Sequence, residues 1–294
     1  MSNLINTYKD IKRATVAIVG SLSKDPSFPP VIGTGFIARE DGIIFTNKHV
    51  IEAFEHLPRR KGAPETEWPA KVLLFQVTSE GTIITPLNIV GVGSPLPMNQ
   101  KINYGENIPD IGIIEVNVKN LPTVKIADKF ILQEGAEIAT CGFPMGTDAL
   151  RAPGWIHQLS PILQRGVISA ILPMVCDNPH AIMIDIVTEG GASGSPVFDI
   201  ATGEIVAILY AGLLETRDMT NHRENSALIY KNSTSHTLAI PSHYLQFALK
   251  GLSNNKEFKK GVEKKSLEEI QKLYTKETIN PREPHMKERV QGEL

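Results

Sequence analysis

Nine short runs rich in valine and isoleucine, set apart by turn residues, constrain this chain more than any other feature. They are Thr15–Val19, Gly42–Thr46, Lys71–Val77, Thr82–Thr85, Asp110–Val116, Ala136–Thr140, Gly166–Ile171, Ile182–Val187 and Glu204–Tyr210. β-Branched side chains suit a pleated, half-buried surface, and many short strands with turns between them give a barrel or a sandwich. Helical periods of ten or more residues do not alternate with these runs, which argues against a βαβ fold. The punctuation, 23 Gly and 20 Pro in 294 residues, fits the same reading. The expected fold class is all-β.

Charge and cysteine content narrow the function. Thirty Lys+Arg stand against 32 Asp+Glu, a formal charge of -2, so no global positive field attracts nucleic acid. No apolar run approaches the roughly 18 residues of a membrane span. The first 13 residues lack the apolar core of a secretory signal. Only Cys141 and Cys176 are present, which excludes a disulfide framework. These features point to a cytoplasmic protein with no nucleic-acid or membrane partner. There is no HExxH, no CxxC and no phosphate loop between a strand and a helix, so neither metal nor cofactor is expected.

Leu57–Pro69, Gly93–Pro109, Phe143–Leu159 and Leu213–Thr237 read as long loops, and loops of that length often carry function. After about Lys250 the composition shifts: residues 251–294 hold ten Lys/Arg and eight Glu. Ser266-Leu-Glu-Glu269 is a capping-box pattern, and Leu267, Ile270, Leu273 and Tyr274 follow at helical spacing. That apolar stripe is too narrow to fold alone, so the helix should dock on the body of the protein or on a protein partner. The expected division is a domain at 1–250 and a charged helical tail at 251–294.

Three stretches carry chemistry. In Glu189-Gly-Gly-Ala-Ser-Gly-Ser-Pro-Val-Phe198, small neighbours let a carbonyl approach the Ser193 hydroxyl, and a tight turn can aim backbone N–H groups at one point. In Thr46-Asn-Lys-His-Val-Ile51, His49 follows a strand and opens a short helical pattern. A serine needs a base within hydrogen-bond reach, and histidine titrates near working pH. In Pro109-Asp-Ile-Gly-Ile-Ile-Glu-Val116, Asp110 begins a strand, where a carboxylate could orient an imidazole. Taken singly, each has a plain structural reading.

Together, in this order, they resemble the chymotrypsin-fold serine peptidases, above all the bacterial HtrA-like and glutamyl-endopeptidase branches. The matching pieces also include Gly33-Thr-Gly-Phe-Ile37, Gly142-Phe-Pro-Met-Gly146, Gly166-Val-Ile-Ser-Ala170, Gly203-Glu-Ile-Val-Ala207 and Leu238-Ala-Ile-Pro-Ser242. The resemblance implies two packed antiparallel β-barrels, at about 14–125 and 126–245, with an active site between them. It implies Ser193 as nucleophile, His49 as general base, Asp110 as orienting carboxylate, and an oxyanion hole from the N–H groups of Gly191 and Ser193. Ser195 is expected to be structural, Asp128 to lie on the linker, and Lys48 to point to solvent. The specificity pocket is expected from Val187, Leu209, Tyr210, Ala211 and Leu238, which would favour apolar side chains and reject charged ones. The expected substrate is a polypeptide, with a protein partner engaging the tail. The alternatives are a protease-fold binding module, a partner-gated protease with little basal activity, and an ester hydrolase. The tail is too short for the PDZ module of many HtrA-like proteins.

Overall fold

A computed structural model describes residues 4–20, 31–59, 61–78, 81–95, 109–144, 160–173, 178–221, 226–254 and 263–274. It contains two closed antiparallel barrels. The first is built from β1 (Thr15–Gly20), β2 (Val31–Arg39), β3 (Ile43–Thr46), β4 (Ala70–Thr78), β5 (Gly81–Gly93) and β6 (Gly112–Val116), in the order β1-β2-β3-β6-β5-β4. The second is built from β8 (Glu137–Gly142), β9 (Ile162–Leu172), β10 (Ala181–Ile184), β11 (Pro196–Asp199), β12 (Ile205–Asn221) and β13 (Ser226–Pro241), in the order β10-β13-β12-β11-β8-β9. The short strand β7 (Val118–Lys119) lies just after the first barrel.

The uninterrupted apolar runs have a physical reason. Along β1, Val16 and Ile18 join the main core, while Ala17 and Val19 join a second cluster with Leu73, Phe75 and Phe143. Alternate side chains of a strand point to opposite faces. Both faces of β1 are covered, so all six of its residues are buried. β4 repeats the pattern, with Val72 and Leu74 on one face and Leu73 and Phe75 on the other. The main core also contains Ala139, Cys141, Phe198 and Ile208 from the second barrel, so one apolar body spans both barrels. Fully burying each Val, Leu, Ile or Phe among them contributes roughly 1.5–3 kcal/mol against exposure.

Among the described residues four helices pack around the barrels: α1 (Leu4–Ala14), α2 (Lys48–Glu55), α3 (Ser242–Asn254) and α4 (Leu267–Tyr274). Neither α1 nor α3 is among the elements expected from sequence, although Leu4, Tyr8 and Ile11 recur at helical spacing and all pack on the main core. α1 is held by tertiary contacts: Ile11 and Ala14 are buried, and the Tyr8 hydroxyl donates to the Pro161 carbonyl at 2.6 Å. Burial raises the Tyr8 pKa, and it pushes the neighbouring buried Cys141 thiol up to about 12. On α3, burial lowers the His243 pKa to about 4, and neither ring nitrogen has a hydrogen-bond partner among the described residues.

The capping box at the start of α4 forms. Ser266 N and Oγ both donate to Glu269 Oε2, at 2.6 and 2.9 Å, and Glu269 N donates back to Ser266 Oγ at 3.2 Å. These bonds lower the Glu269 pKa. The segment docks on the first barrel. β14 (Lys265–Ser266) pairs in parallel with β7, Leu267 enters the main core, and Lys264 Nζ reaches Glu115 Oε1 at 2.6 Å and the Asp41 carbonyl at 2.5 Å.

One expected loop is different. Within Leu213–Thr237, β12 and β13 continue past the barrel as a two-stranded ribbon, with Leu214 opposite Ser233 and Asn221 opposite Ser226. The barrel register carries on into the ribbon, and backbone pairing asks nothing of side-chain hydrophobicity. In the expected loop Leu57–Pro69, the described residues form turns and bends. The described residues contain no helix long and apolar enough to cross a membrane.

Candidate active site

The short hydrophobic strand β3 ends at Thr46, and α2 starts two residues later, with Asn47 as its N-cap in extended conformation. An N-cap asparagine normally bonds the first free N–H groups of its helix. Here it does not: Asn47 Nδ2 donates instead to the Asp110 carbonyl at 2.8 Å. Asp110, just ahead of the neighbouring strand β6, takes over the capping task. Its Oδ1 accepts the His49 backbone N–H at 3.0 Å, and its Oδ2 lies 2.6 Å from His49 Nδ1. An ionised carboxylate can only accept, so in this contact the neutral imidazole keeps its proton on Nδ1 and its lone pair on Nε2. The His49 side chain is 45% exposed and that of Asp110 is 26% exposed, so the imidazole is open to solvent.

Ser193 comes from the second barrel, in two consecutive turns. Ala192 N donates to the Glu189 carbonyl at 3.1 Å, and Ser195 N donates to the Ala192 carbonyl at 3.0 Å. The third residue of each turn is a glycine at positive φ, Gly191 at 93° and Gly194 at 87°, whereas Gly190 and Ser193 are not at positive φ. That combination is the type II turn, which disfavours a side chain at its third position. The glycine pattern of the motif is therefore a backbone requirement.

Strand β2 of the first barrel clamps these turns. Thr34 N donates to the Ser193 carbonyl at 2.8 Å, and Thr34 Oγ1 donates to the Gly191 carbonyl at 2.7 Å. The same hydroxyl accepts from Phe143 N at 3.0 Å. A side chain at Gly33 would meet Val50 at 2.8 Å and the Ser193 carbonyl at 3.2 Å. The start of α2 and the serine turn thus press on one glycine, which brings the His49–Asp110 pair and Ser193 to the same seam. Thr34 had no assigned role in the sequence, because a threonine in a strand is ordinary and its partner lies 157 residues away.

Ser195 is 1% exposed, and its hydroxyl donates to the Ala192 carbonyl at 2.6 Å. Lys48 points outward to Glu52 at 3.3 Å. Asp128 is exposed on the linker near Lys125, whose pKa is raised chiefly by its hydrogen bond to Glu204. Among the described residues no cluster of three His, Cys, Asp or Glu is placed to hold a metal ion.

A pocket of about 240 Å³ opens beside Ser193 and is lined in part by Leu209, Tyr210, Ala211 and Gly212. Val187 and Leu238 do not line it. Thr188 and Thr237 do, and Val187 is 43% exposed. The one-residue offset follows from alternation, because neighbours in an extended segment face opposite ways.

Residues 33–208 match a family model for the trypsin-like peptidase domain, well over half of the chain. The chain belongs to the trypsin-like peptidases. This peptidase is similar to a probable periplasmic serine endoprotease DegP-like from Halomonas elongata, 27% identical over 177 residues, covering 60% of this chain and 28% of that protein. It is also similar to the putative serine protease HhoB of Synechocystis, 25% identical over 176 residues, covering 60% of this chain and 33% of that protein. The peptidase therefore spans about a third or less of the curated relatives it matches. Among solved structures, an HtrA-type protease AlgW variant with a tripeptide aligns with a TM-score of 0.53 at 16% identity, over 86% of this chain and 64% of that one. That likeness shows the fold. The DegP-like relatives are named periplasmic, so the cytoplasmic placement expected from cysteine content finds no support among them.

Proposed function

We propose that this chain is a serine endopeptidase working through an acyl-enzyme intermediate on polypeptide substrates. Ser193 attacks the scissile carbonyl. His49 Nε2 takes the serine proton and then returns it to the leaving amine. Asp110 keeps the imidazole in the required tautomer and stabilises the imidazolium. The N–H groups of Gly191 and Ser193 bind the developing oxyanion.

The observation that carries this reading is the two-point hold of Asp110 on His49, at 3.0 and 2.6 Å. A carboxylate that only capped a helix would not also engage the ring. The test is labelling by a fluorophosphonate followed by digestion of a mixed peptide pool. We expect labelling on Ser193, its loss in Ser193→Ala, its retention in Ser195→Ala, and cleavage of peptides. Labelling retained in Ser193→Ala and lost in Ser195→Ala would reverse the assignment. Labelling without peptide cleavage would favour an esterase. Cell fractionation decides between the cytoplasmic reading and the periplasmic placement of the relatives.

A further inference from the structure

The pocket beside Ser193 contains two threonine hydroxyls whose protons are already committed. Thr237 Oγ1 lies 2.6 Å from the Ile186 carbonyl, which can only accept, so Thr237 donates there. Thr188 Oγ1 lies 2.9 Å from Thr237 Oγ1. A hydroxyl has one proton, so Thr188 is the donor in that contact. Donation runs from Thr188 to Thr237 to Ile186, and it leaves Thr188 with lone pairs only. Thr237 is 1% exposed, so Thr188 presents the pair to an incoming side chain.

The backbone keeps that oxygen uncovered. Gly212 pairs with Thr237 in the ladder, and a Cβ on Gly212 would come within 2.9 Å of Thr188 Oγ1. Glu189, exposed at the pocket edge, adds a second acceptor. Ser233 lies exposed at the mouth, opposite Leu214.

We propose that this pocket selects a neutral hydrogen-bond donor on the acyl side of the scissile bond: Gln, Asn, Thr or Ser over their carboxylate and hydrocarbon counterparts. The proposal rests on the endopeptidase reading and replaces the apolar preference expected from sequence. A donor side chain satisfies the Thr188 oxygen. A hydrocarbon desolvates that oxygen and gives nothing back. A carboxylate sets lone pair against lone pair beside Glu189. A Lys or Arg side chain would lose its hydration, and the solvated Glu189 is a poor replacement.

The test uses matched peptides that differ only at this position: Gln, Glu and Met; Asn, Asp and Leu; Thr and Val. We expect kcat/KM for Gln to exceed that for Met by about 5–10-fold, the size of one neutral hydrogen bond, and that for Glu by about 100-fold or more. Thr188→Val should bring the Gln-to-Met ratio to about one. Thr237→Val is sharper: it removes the acceptor for the Thr188 proton, which becomes free to donate, so the Gln-to-Glu ratio should fall at least about tenfold. Such ratios, taken within one preparation, do not depend on the folded fraction. If Ser193 is labelled but Gln, Glu and Met are cleaved equally, or Lys/Arg dominates, or Thr237→Val leaves the ratio unmoved, the pocket proposal fails alone. If there is neither labelling nor hydrolysis, the endopeptidase reading fails and this proposal with it.

Discussion

Asp110 holds His49 at two atoms, the backbone nitrogen through Oδ1 and the ring Nδ1 through Oδ2. One carboxylate thus caps α2 and fixes the imidazole that α2 carries. Asp110→Asn removes the charge while keeping the shape, and an amide can present N–H where the ring needs an acceptor. We expect kcat to drop on the order of 10⁴-fold with KM little changed. Steady-state kinetics on a small ester checks this. A drop of less than tenfold would show that Asp110 only caps the helix.

Thr34 joins the two barrels at the site. Thr34→Val loses the hydroxyl that holds the Gly191 carbonyl and leaves that carbonyl and Phe143 N without their partner. Stability should fall by about 1–3 kcal/mol. The rate of fluorophosphonate labelling should fall further than the loss of folded protein explains, because the Gly191 turn is no longer pinned. Thr34→Ser should restore both, and a serine variant as impaired as the valine one would refute the hydroxyl's role.

His243 sets an acid limit on stability. Its pKa is depressed in the folded protein by burial, to about 4 against an ordinary value of 6.5. Between those values the unfolded chain takes up a proton that the folded chain refuses. Stability is therefore full above about pH 6.5 and declines as the pH falls toward 4, by on the order of 2 kcal/mol after allowing for residual solvent screening. Denaturant melts at pH 7.5 and 4.5 measure the decline. His243→Phe should flatten it, and an unchanged pH slope in that variant would remove His243 as the cause.

Cys141 should be inert. The thiol is buried, and its pKa of about 12 keeps it protonated at neutral pH. In a Cys176→Ser background, a thiol reagent at pH 8 should react only after denaturation. Rapid labelling of the native variant would mean that α1 opens readily from the second barrel.

The Lys264–Glu115 pair tests the docking of the tail. Both side chains are less than one-fifth exposed. Lys264→Met leaves Glu115 and the Asp41 carbonyl without their cation and should destabilise the protein by roughly 1–3 kcal/mol. Truncation after residue 262 should cost more, because it also removes Leu267 from the core. A thermal melt unchanged by both would show that the segment does not contribute to the fold.

Nine of the strands were legible because β-branched runs bury both faces, as Val16 and Ala17 do on opposite sides of β1; β2, β11 and β13 were not read as such runs. The start of α4 was legible because a capping box is a local motif. α1 was missed although Leu4, Tyr8 and Ile11 recur at helical spacing, because no acidic residue marks its first turn and partners such as Pro161 are distant. The ribbon of β12 and β13 was hidden because its pairing is inherited from the barrel. At the site, the His49, Asp110 and Ser193 stretches stood out only together and in order, since taken singly each has a plain structural reading; the structure joins His49 to Asp110. Thr188 and Thr237 could not be read, because the choice between them and Val187 and Leu238 depends on which way one side chain faces.

The clamp by Thr34 also bears on when the proposed chemistry could begin. His49 and Asp110 leave the ribosome well before Ser193, and the Gly191 and Ser193 carbonyls find their partner on a strand of the other half. Under the proposed mechanism a nascent first barrel would hold a base with nothing to activate, and an undocked second barrel a serine with no base. Cleaving power would then arise only when the halves close on each other, so the order of synthesis and the seam between the barrels would together guard the cell against a half-made protease.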